Sequence, residues 1–395
     1  MIQPDTSTPI GVVGAGAMGA GIAQVALRAG HPVVLADARP DAAARARDGI
    51  ARAFAREAEK GRMTPADAES SLARLTAAAG ADDLAPFAGC GVVIEAVVED
   101  LAVKRDLFAR LEHVVGDDAV LASNTSSLSI ASIASACRRP ARVLGVHFFN
   151  PAPVLPLVEI VPALATEPAV ADATRALVDA WGKTTVLAAD SPGFIVNRVA
   201  RPFYGEALRI HDERLASTAT IDWALRELGG FRMGPFELMD FIGLDVNFAV
   251  TRSVYEQTFH DPRYRPSLTQ QRLVEAGRLG RKTGRGFYDH ADGAARPEPA
   301  RDAALGEAIV RRVLAMLVNE AADAVHWGLC SAADVELAMT RGVNYPRGLL
   351  AWGDQLGPAV VVAELERLRD TYQEDRYRVS PLLRRVARDG GRLAP

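Results

Sequence analysis

A histidine and a glutamate in two neighbouring apolar segments could do acid–base chemistry together. His147 lies near the end of Val143–Phe149, and Glu159 lies in Leu157–Val161, which can run back beside it. A carboxylate in an apolar strand needs a partner, because an unpaired buried charge is costly. Paired with Glu159, the imidazole of His147 is held in one tautomer and suits a general base in alcohol oxidation. The spacing alone leaves a structural ion pair at a hairpin as an equal alternative.

A glycine-rich turn near the N-terminus indicates a dinucleotide site. It consists of Gly14, Ala15, Gly16, Ala17, Met18 and Gly19. The turn follows an apolar strand, opens a helix that ends near Ala29, and precedes Asp37 at the end of the next strand. This order is the context of a dinucleotide fingerprint, in which glycines let backbone N–H groups approach a pyrophosphate; the alternative is a turn needed only for packing. Asp37 would bind ribose hydroxyls and repel a 2′-phosphate, which favours NAD over NADP, although Arg39 weakens that preference.

Two polar segments follow the ends of predicted elements. Ser126 lies in Ser123–Ser127, directly after a strand, and the carboxyl ends of strands face the ligand crevice of an open α/β sheet. Asn197 lies in Pro192–Arg198, where the chain enters a helical region. Ser, Thr and Asn also cap helices, so the pattern leaves binding and capping roles open at both places.

Three charged residues are weaker candidates. Glu99 and Lys104 come after the strand Val92–Val98 and could border the cofactor or form a solvated pair. Lys282, in a Gly-rich basic segment, could meet a phosphate or lie in solvent. The histidines other than His147 have no metal-ligand spacing among them, so no metal site is predicted.

Alternating strands and helices must position the candidates of the first half. Strands are predicted at residues 10–16, before Asp37, and at residues 91–98, 119–123, 143–149 and 157–161. The Ala- and Arg-rich segment 41–80 has the spacing of one or two long helices in a crossover. This alternation predicts the α/β fold class, with a Rossmann-type doubly wound domain over residues 1–188.

The second half is predicted to be two related all-α domains. With a constant offset of 114 residues, Glu206-Ala207 matches Glu320-Ala321, and the spacing Gly-x5-Asp-x2-Gly that starts at Gly234 recurs at Gly348. Chance similarity between two Ala-rich helical segments is the alternative to duplication. The first copy is predicted at 189–289, the second at 303–395, and a polar Pro/Gly/Ala linker at 290–302.

The composition excludes several classes of partner. The 395 residues carry a net charge of −4 and no dense block of Lys or Arg, which argues against a nucleic acid or an anionic membrane. Three scattered cysteines do not predict a disulfide framework. The polar N-terminal segment is unlike a signal peptide, and no apolar stretch is long enough to span a bilayer. A cytoplasmic protein is therefore expected.

These motifs together resemble the L-3-hydroxyacyl-CoA dehydrogenases, including the 3-hydroxybutyryl-CoA and 3-hydroxyadipyl-CoA enzymes of bacteria. The resemblance runs from about residue 10 to residue 288, and the second helical copy is similar to the duplicated C-terminal domain of longer bacterial members. Its most specific segments are 14–22, 123–127, 147–151, 192–198, 233–238 and 282–288. The resemblance implies NAD-dependent oxidation of a 3-hydroxyacyl-CoA.

The resemblance also implies a role for each matching residue. His147 would take the proton of the 3-hydroxyl, and Glu159 would orient it. Ser126 and Asn197 match positions that hold substrate oxygens. Lys60 matches a position near the CoA phosphates. The positions that match NAD contacts, besides the glycine turn, are Asp37, Glu99, Lys104, Ser126, Asn150 and Lys282.

Two other functions and two structural expectations accompany this interpretation. A dehydrogenase of free sugar acids, such as L-gulonate 3-dehydrogenase, resembles the family in its His/Glu pair, and a non-catalytic NAD-binding structural protein is the other alternative. A homo-oligomer is expected, with a dimer as the default. The second copy offers Arg311 and Arg312 where the first has Asn197-Arg198, so it is expected to be structural.

Overall fold

The computed structural model describes residues 6–78, 80 and 83–395. Residues 1–5, 79, 81 and 82, which belong to the predicted first domain, lie outside the described residues. The chain divides into two compact units, Met1–Ser191 and Pro192–Pro395.

A single mixed sheet forms the centre of the first unit. Its strands are β1 (Ile10–Val13), β2 (Val33–Ala36), β3 (Leu75–Ala77), β4 (Val92–Glu95), β5 (Val120–Ser123), β6 (Val143–Phe148), β7 (Leu157–Pro162) and β8 (Thr184–Leu187). Within the described residues their order is β3-β2-β1-β4-β5-β6-β7-β8. Neighbours are parallel except β6 and β7, which are antiparallel. The order 3-2-1-4-5-6 is that of a doubly wound dinucleotide-binding sheet, so the predicted fold class is confirmed.

The two outermost strands are the ones that the sequence did not predict. Central strands such as β1 and β4 are buried at every position, because a parallel sheet is covered on both faces, and so they consist of continuous apolar runs. The edge strands β3 and β8 have three and four residues, and each has both buried and exposed positions. Such short half-exposed strands lack the apolar run that marks the central ones.

Helices cover the sheet of the first unit. They are α1 (Ala17–Arg28), α2 (Ala42–Glu59), α3 (Pro65–Ala73), α4 (Leu101–Glu112), α5 (Ile130–Ala134) and α6 (Pro168–Ala180). The predicted crossover of one or two helices corresponds to α2 and α3. Thr64 and Asp67 form a capping box at the start of α3, which separates the two helices.

The second unit is mainly helical. Its helices are α7 (Val196–Val199), α8 (Arg201–Asp212), α9 (Thr218–Trp223), α10 (Pro235–Ile242), α11 (Leu244–Gln257), α12 (Leu268–Glu275), α13 (Ala303–His326), α14 (Ala332–Leu337), α15 (Leu349–Leu356), α16 (Pro358–Tyr372) and α17 (Pro381–Asp389). π-Helical turns at Ala224–Leu228 and Ala338–Gly342 extend α9 and α14. None of the described helices combines the length and the apolar composition needed to cross a bilayer.

The two halves of this unit repeat the same local contacts 114 residues apart. Asp222 accepts a hydrogen bond from the Phe236 amide at the start of α10 (2.9 Å), and Glu336 accepts one from Leu350 at the start of α15 (2.7 Å). A Cβ at Gly234 would lie 2.3 Å from the Asp222 side chain, so a side chain there would collide with this carboxylate. A Cβ at Gly348 would likewise lie 2.0 Å from Glu336 Oε2, so a glycine is required at these two matching positions for the same reason.

Two arginines 114 positions apart each form an ion pair with a glutamate of the other half. Arg198 in the first half pairs with Glu320 on α13 (3.1 Å), and Arg312 on α13 pairs with Glu206 in the first half (2.9 Å). Both glutamates are fully buried. The second copy therefore retains the arginine of the Asn197-Arg198 pair as an ion-pair partner.

Candidate active site

In the glycine turn between β1 and α1, close backbone contacts exclude a side chain at Gly14 and at Gly19. Gly14 has φ +105°, and a Cβ at Gly19 would lie 1.7 Å from the Gly14 carbonyl oxygen. A Cβ at Gly16 would meet no atom of the described residues within 4 Å. Gly16 directly precedes α1, whose first turn begins with Ala17 and Met18. The open space at the N-terminus of this helix fits a pyrophosphate, which backbone N–H groups and the helix dipole attract.

Asp37 follows β2 and closes the turn from the side. Its Oδ2 accepts a hydrogen bond from the Ala15 amide (2.7 Å), and its Oδ1 accepts one from the Arg39 amide (2.9 Å). The Arg39 guanidinium also donates to both oxygens, at 3.0 and 3.1 Å. These hydrogen bonds from Arg39 lower the pKa of Asp37 to about 2, so the carboxylate is ionised at neutral pH. An ionised carboxylate at this position fits the ribose of NAD.

His147 and Glu159 are cross-strand partners in the antiparallel pair β6–β7. The distance from His147 Nδ1 to Glu159 Oε2 is 2.7 Å. Glu159 is fully buried and His147 is 5% exposed, with the ring of Phe149 4.5 Å from the imidazole between centroids. Because a carboxylate only accepts, the Nδ1–H donates, and the neutral imidazole carries its lone pair on Nε2.

Glu99 holds the polar segment that follows β5. Its Oε1 accepts hydrogen bonds from Thr125 Oγ1 (2.6 Å), the Ser126 amide (3.0 Å) and the Ser127 amide (3.2 Å). Burial opposes ionisation of Glu99, but the Lys104 ammonium and these hydrogen bonds outweigh it and lower its pKa. The backbone around Ser126 is therefore fixed by a charged acceptor.

The segment after β5 also contacts the strand that carries His147. Asn124 Oδ1 accepts a hydrogen bond from the Phe148 amide, directly after His147, at 2.8 Å. The structure thus brings Ser126 and Glu99 to the same end of the strands as His147 and Glu159.

The other predicted site residues differ in their exposure and contacts. Asn150 is exposed and precedes Pro151 through a cis peptide bond, and Lys60 is exposed at the C-terminus of α2. In the second unit, Asn197 is partly buried on α7, and Lys282 forms an ion pair with Asp245 at 2.6 Å. Among the residues that the structure describes, no group of three or more His, Cys, Asp or Glu could hold a metal ion.

Two family models account for almost all of the chain. The model for the NAD-binding domain of 3-hydroxyacyl-CoA dehydrogenase matches residues 9–191. The model for the C-terminal domain of 3-hydroxyacyl-CoA dehydrogenase matches twice, at residues 193–290 and 309–393. The chain belongs to the 3-hydroxyacyl-CoA dehydrogenase family. Both helical halves thus match the same C-terminal domain.

Named relatives in this dehydrogenase family cover the chain to different extents. The 3-hydroxyadipyl-CoA dehydrogenase of Escherichia coli K12 is 39% identical, over 96% of this chain and 97% of the relative. A crystal structure of 3-hydroxybutyryl-CoA dehydrogenase from Escherichia coli K12 has a TM-score of 0.90 at 38% identity, covering 97% and 98% of the two chains. The human mitochondrial hydroxyacyl-coenzyme A dehydrogenase is 39% identical, over 71% of this chain and 90% of the relative.

Membership in the 3-hydroxyacyl-CoA dehydrogenase family makes this chain an oxidoreductase with NAD as its cofactor. The sugar-acid dehydrogenase and the NAD-binding structural protein are not favoured by these similarities. The glycine turn, the open N-terminus of α1 and the ionised Asp37 fit NAD on structural grounds as well.

Glu95 belongs to the same end of the sheet as Glu99 and Ser126, and the sequence analysis did not identify it. It is the last residue of β4, is fully buried, and lies 2.6 Å from Lys104 Nζ. The argument that singled out Glu159, a carboxylate in an apolar strand that needs a partner, applies equally to Glu95. The signal was therefore present in the sequence.

Proposed function

We propose that this chain oxidises (S)-3-hydroxyacyl-CoA to 3-oxoacyl-CoA, with His147 as the general base. The observation that carries the proposal is the buried His147–Glu159 pair. The pair lies at the same end of the sheet as the segment Ser123–Ser127, which is hydrogen-bonded to the strand of His147. NAD, when bound, supplies the hydride acceptor. The residues of the chain have to bind the alcohol, orient it and remove its proton.

The tautomer of His147 suits proton removal. Since Nδ1–H donates to Glu159, Nε2 carries the lone pair that takes the proton of the 3-hydroxyl. As C3 loses its hydride, the O–H electrons form the C3=O bond and the proton stays on Nε2. Glu159 then faces an imidazolium, and its charge stabilises that cation in a buried setting.

The remaining residues bind the two substrates in this proposal. Ser126 and Asn197 hold substrate oxygens, Ser126 also borders NAD, and Lys60 lies near the CoA phosphates. The turn Gly14–Gly19 binds the pyrophosphate and Asp37 the adenosine ribose. The other residues proposed to contact NAD are Glu99, Lys104, Asn150 and Lys282. The support is the match of these positions to the family pattern, together with the contacts of Glu99 and Asp37 described above.

The acyl group in this proposal is short, of the butyryl or adipyl length. Two relatives that match nearly the whole chain are named for these two substrates. The test mixes purified protein with NADH and acetoacetyl-CoA, or with NADH and 3-oxoadipyl-CoA, and follows the loss of NADH absorbance. Rapid oxidation with either acyl-CoA supports the proposal, and the ratio of the two kcat/KM values assigns the chain length.

Two outcomes of this assay contradict the proposal. NADH that binds but is not oxidised by either acyl-CoA, together with NAD-dependent oxidation of L-gulonate, would indicate the sugar-acid dehydrogenase. NADH binding without turnover of any of the three would indicate the non-catalytic protein.

We further propose that the protein is a cytoplasmic homo-oligomer, with a dimer as the default. Sedimentation of the purified protein tests the oligomeric state.

A further inference from the structure

Glu95 places a full negative charge in the interior of the first unit, at the end of β4. Its Oε1 accepts hydrogen bonds from Lys104 Nζ (2.6 Å) and the Val97 amide (2.7 Å), and its Oε2 accepts one from Ser123 Oγ (2.6 Å). Ser123 is its neighbour in the sheet, on β5. A buried carboxylate is stable only when its lone pairs are satisfied in this way.

Lys104 joins Glu95 to a second carboxylate. The ammonium is 1% exposed and lies 2.6 Å from Glu95 Oε1 and 3.3 Å from Glu99 Oε2. It comes from the first turn of α4, whose N-terminus Asp100 caps. One buried cation is therefore shared by two carboxylates, and it lies closer to Glu95.

The second carboxylate holds the segment that carries Ser126. Glu99 uses Oε2 for Lys104, which leaves Oε1 for the amides of Ser126 and Ser127 and for three hydroxyls. The backbone carbonyl of Glu95 also accepts a hydrogen bond from the Asn124 amide at 2.8 Å. Glu95 is thus linked to this segment through Lys104 and Glu99 and through the backbone of Asn124.

We propose that Glu95 is a positioning residue, which balances the charge of Lys104 so that Glu99 stays directed at the amides of Ser126 and Ser127. Without the charge of Glu95, Glu99 is the one remaining anion in this cluster. The ammonium then draws Glu99 toward itself, and the hydrogen bonds to the segment weaken. The effect on turnover rests on the proposed function, in which Ser126 binds the substrate.

Glu95→Gln tests this role because it keeps the size of the side chain and removes its charge. We expect amide hydrogen exchange at Ser126 and Ser127 to become at least tenfold faster. We expect kcat/KM for acetoacetyl-CoA to fall by about 10–10²-fold, since a displaced binding group of this kind costs on that order. Both quantities are compared at a temperature where wild type and variant are fully folded by circular dichroism.

Glu112→Gln is the matched control in the same unit. Glu112 pairs with the buried Arg142 and accepts hydrogen bonds from the amides of Arg138 and Arg139 (2.6 and 2.8 Å). Like Glu95→Gln, this variant removes a charge beside a buried cation, so it controls for a general loss of stability. It is expected to speed exchange at residues 138–139 and to leave exchange at Ser126 and Ser127 unchanged.

Each outcome decides one of the two proposals. Wild-type exchange at Ser126 and Ser127 in Glu95→Gln would overturn the role of Glu95, as would faster exchange there in both variants. Faster exchange in Glu95→Gln alone, with a wild-type enzyme that does not turn over acyl-CoA, would support Glu95 as a positioning residue and contradict the proposed function.

Glu95→Asp replaces Glu95→Gln if that variant does not fold. It shortens the side chain and withdraws the carboxylate from Lys104 Nζ, which lies 2.6 Å away in the wild type. Exchange at Ser126 and Ser127 is then expected to rise about twofold or more, and unchanged exchange would overturn the proposal.

Discussion

His147 and Glu159 are paired twice, as cross-strand neighbours of an antiparallel ladder and through a side-chain hydrogen bond of 2.7 Å. The ladder fixes the positions of the two Cα atoms, so the hydrogen bond costs little additional ordering of the backbone. The imidazole is therefore held in one orientation before any substrate binds.

His147→Ala removes the proposed base, and we expect kcat to fall by about 10²–10⁴-fold. The affinity for NADH, measured by fluorescence titration, is expected to stay within about twofold of wild type, because the glycine turn and Asp37 are unchanged. Glu159→Gln is the companion variant. Its amide can donate to Nδ1, which moves the ring proton to Nε2 and should lower kcat by about 10²-fold or more. Normal turnover in His147→Ala would exclude this residue as the base.

Most of this site could be predicted from the sequence, because its parts are local patterns. The glycine turn is contiguous, and the apolar runs around His147 and Glu159 identify adjacent strands. Glu95, Glu99 and Lys104 are close in sequence, but their contacts with Ser123 and the Ser126 amide depend on β4 and β5 lying side by side, and no local pattern reports that pairing. The edge strands β3 and β8 went unpredicted because short half-exposed strands have no continuous apolar run.

Gly16→Ala and Gly19→Ala should separate cofactor binding from folding. A Cβ at Gly19 would overlap the Gly14 carbonyl, so Gly19→Ala is expected to lower the free energy of unfolding by about 2 kcal/mol or more. A Cβ at Gly16 enters open space in the described structure, so Gly16→Ala should fold normally and raise KM for NAD by about tenfold. Urea unfolding and steady-state kinetics check both. Equal effects of the two substitutions on unfolding would contradict the assignment.

Asp37→Ala should change the choice of cofactor as well as the affinity. The carboxylate that would bind the ribose and repel a 2′-phosphate is lost, and the Arg39 guanidinium is released from it. We expect KM for NAD to rise at least tenfold and the NADP/NAD ratio of kcat/KM to rise by a similar factor. In the double variant Asp37→Ala/Arg39→Ala the gain with NADP should disappear. Because the pKa of Asp37 is about 2, KM for NAD in wild type should not change through this group between pH 5 and pH 8.

Glu320→Ala should destabilise the helical unit without touching the proposed base. Glu320 is fully buried and pairs with Arg198, Arg263 and the Tyr264 hydroxyl. Removing it leaves the Arg198 guanidinium without its anion and Arg263 with Asp323 as its remaining partner, which costs about 3–5 kcal/mol of unfolding free energy. Glu366→Ala, which breaks an exposed pair with Arg384, is the control and should cost less than about 1 kcal/mol. Equal losses would show that α13 is not held by this buried pair.

Deletion of residues 300–395 removes Glu320 and Arg312 together and should abolish activity.

Asp222 should make the stability of the helical unit depend on pH. Burial raises the pKa of Asp222 to about 7, against the hydrogen bonds from Tyr288 and the Phe236 amide. The unfolded chain ionises this carboxyl near pH 3.8, so its contribution to stability is full below that pH and declines as the pH rises to about 7. Asp222→Asn cannot ionise. The difference in Tm between Asp222→Asn and wild type should therefore shift in favour of the variant, by on the order of 5 °C, between pH 5 and pH 8. Scanning calorimetry at the two pH values measures it, and a difference that does not change with pH would show that Asp222 is already ionised at pH 5.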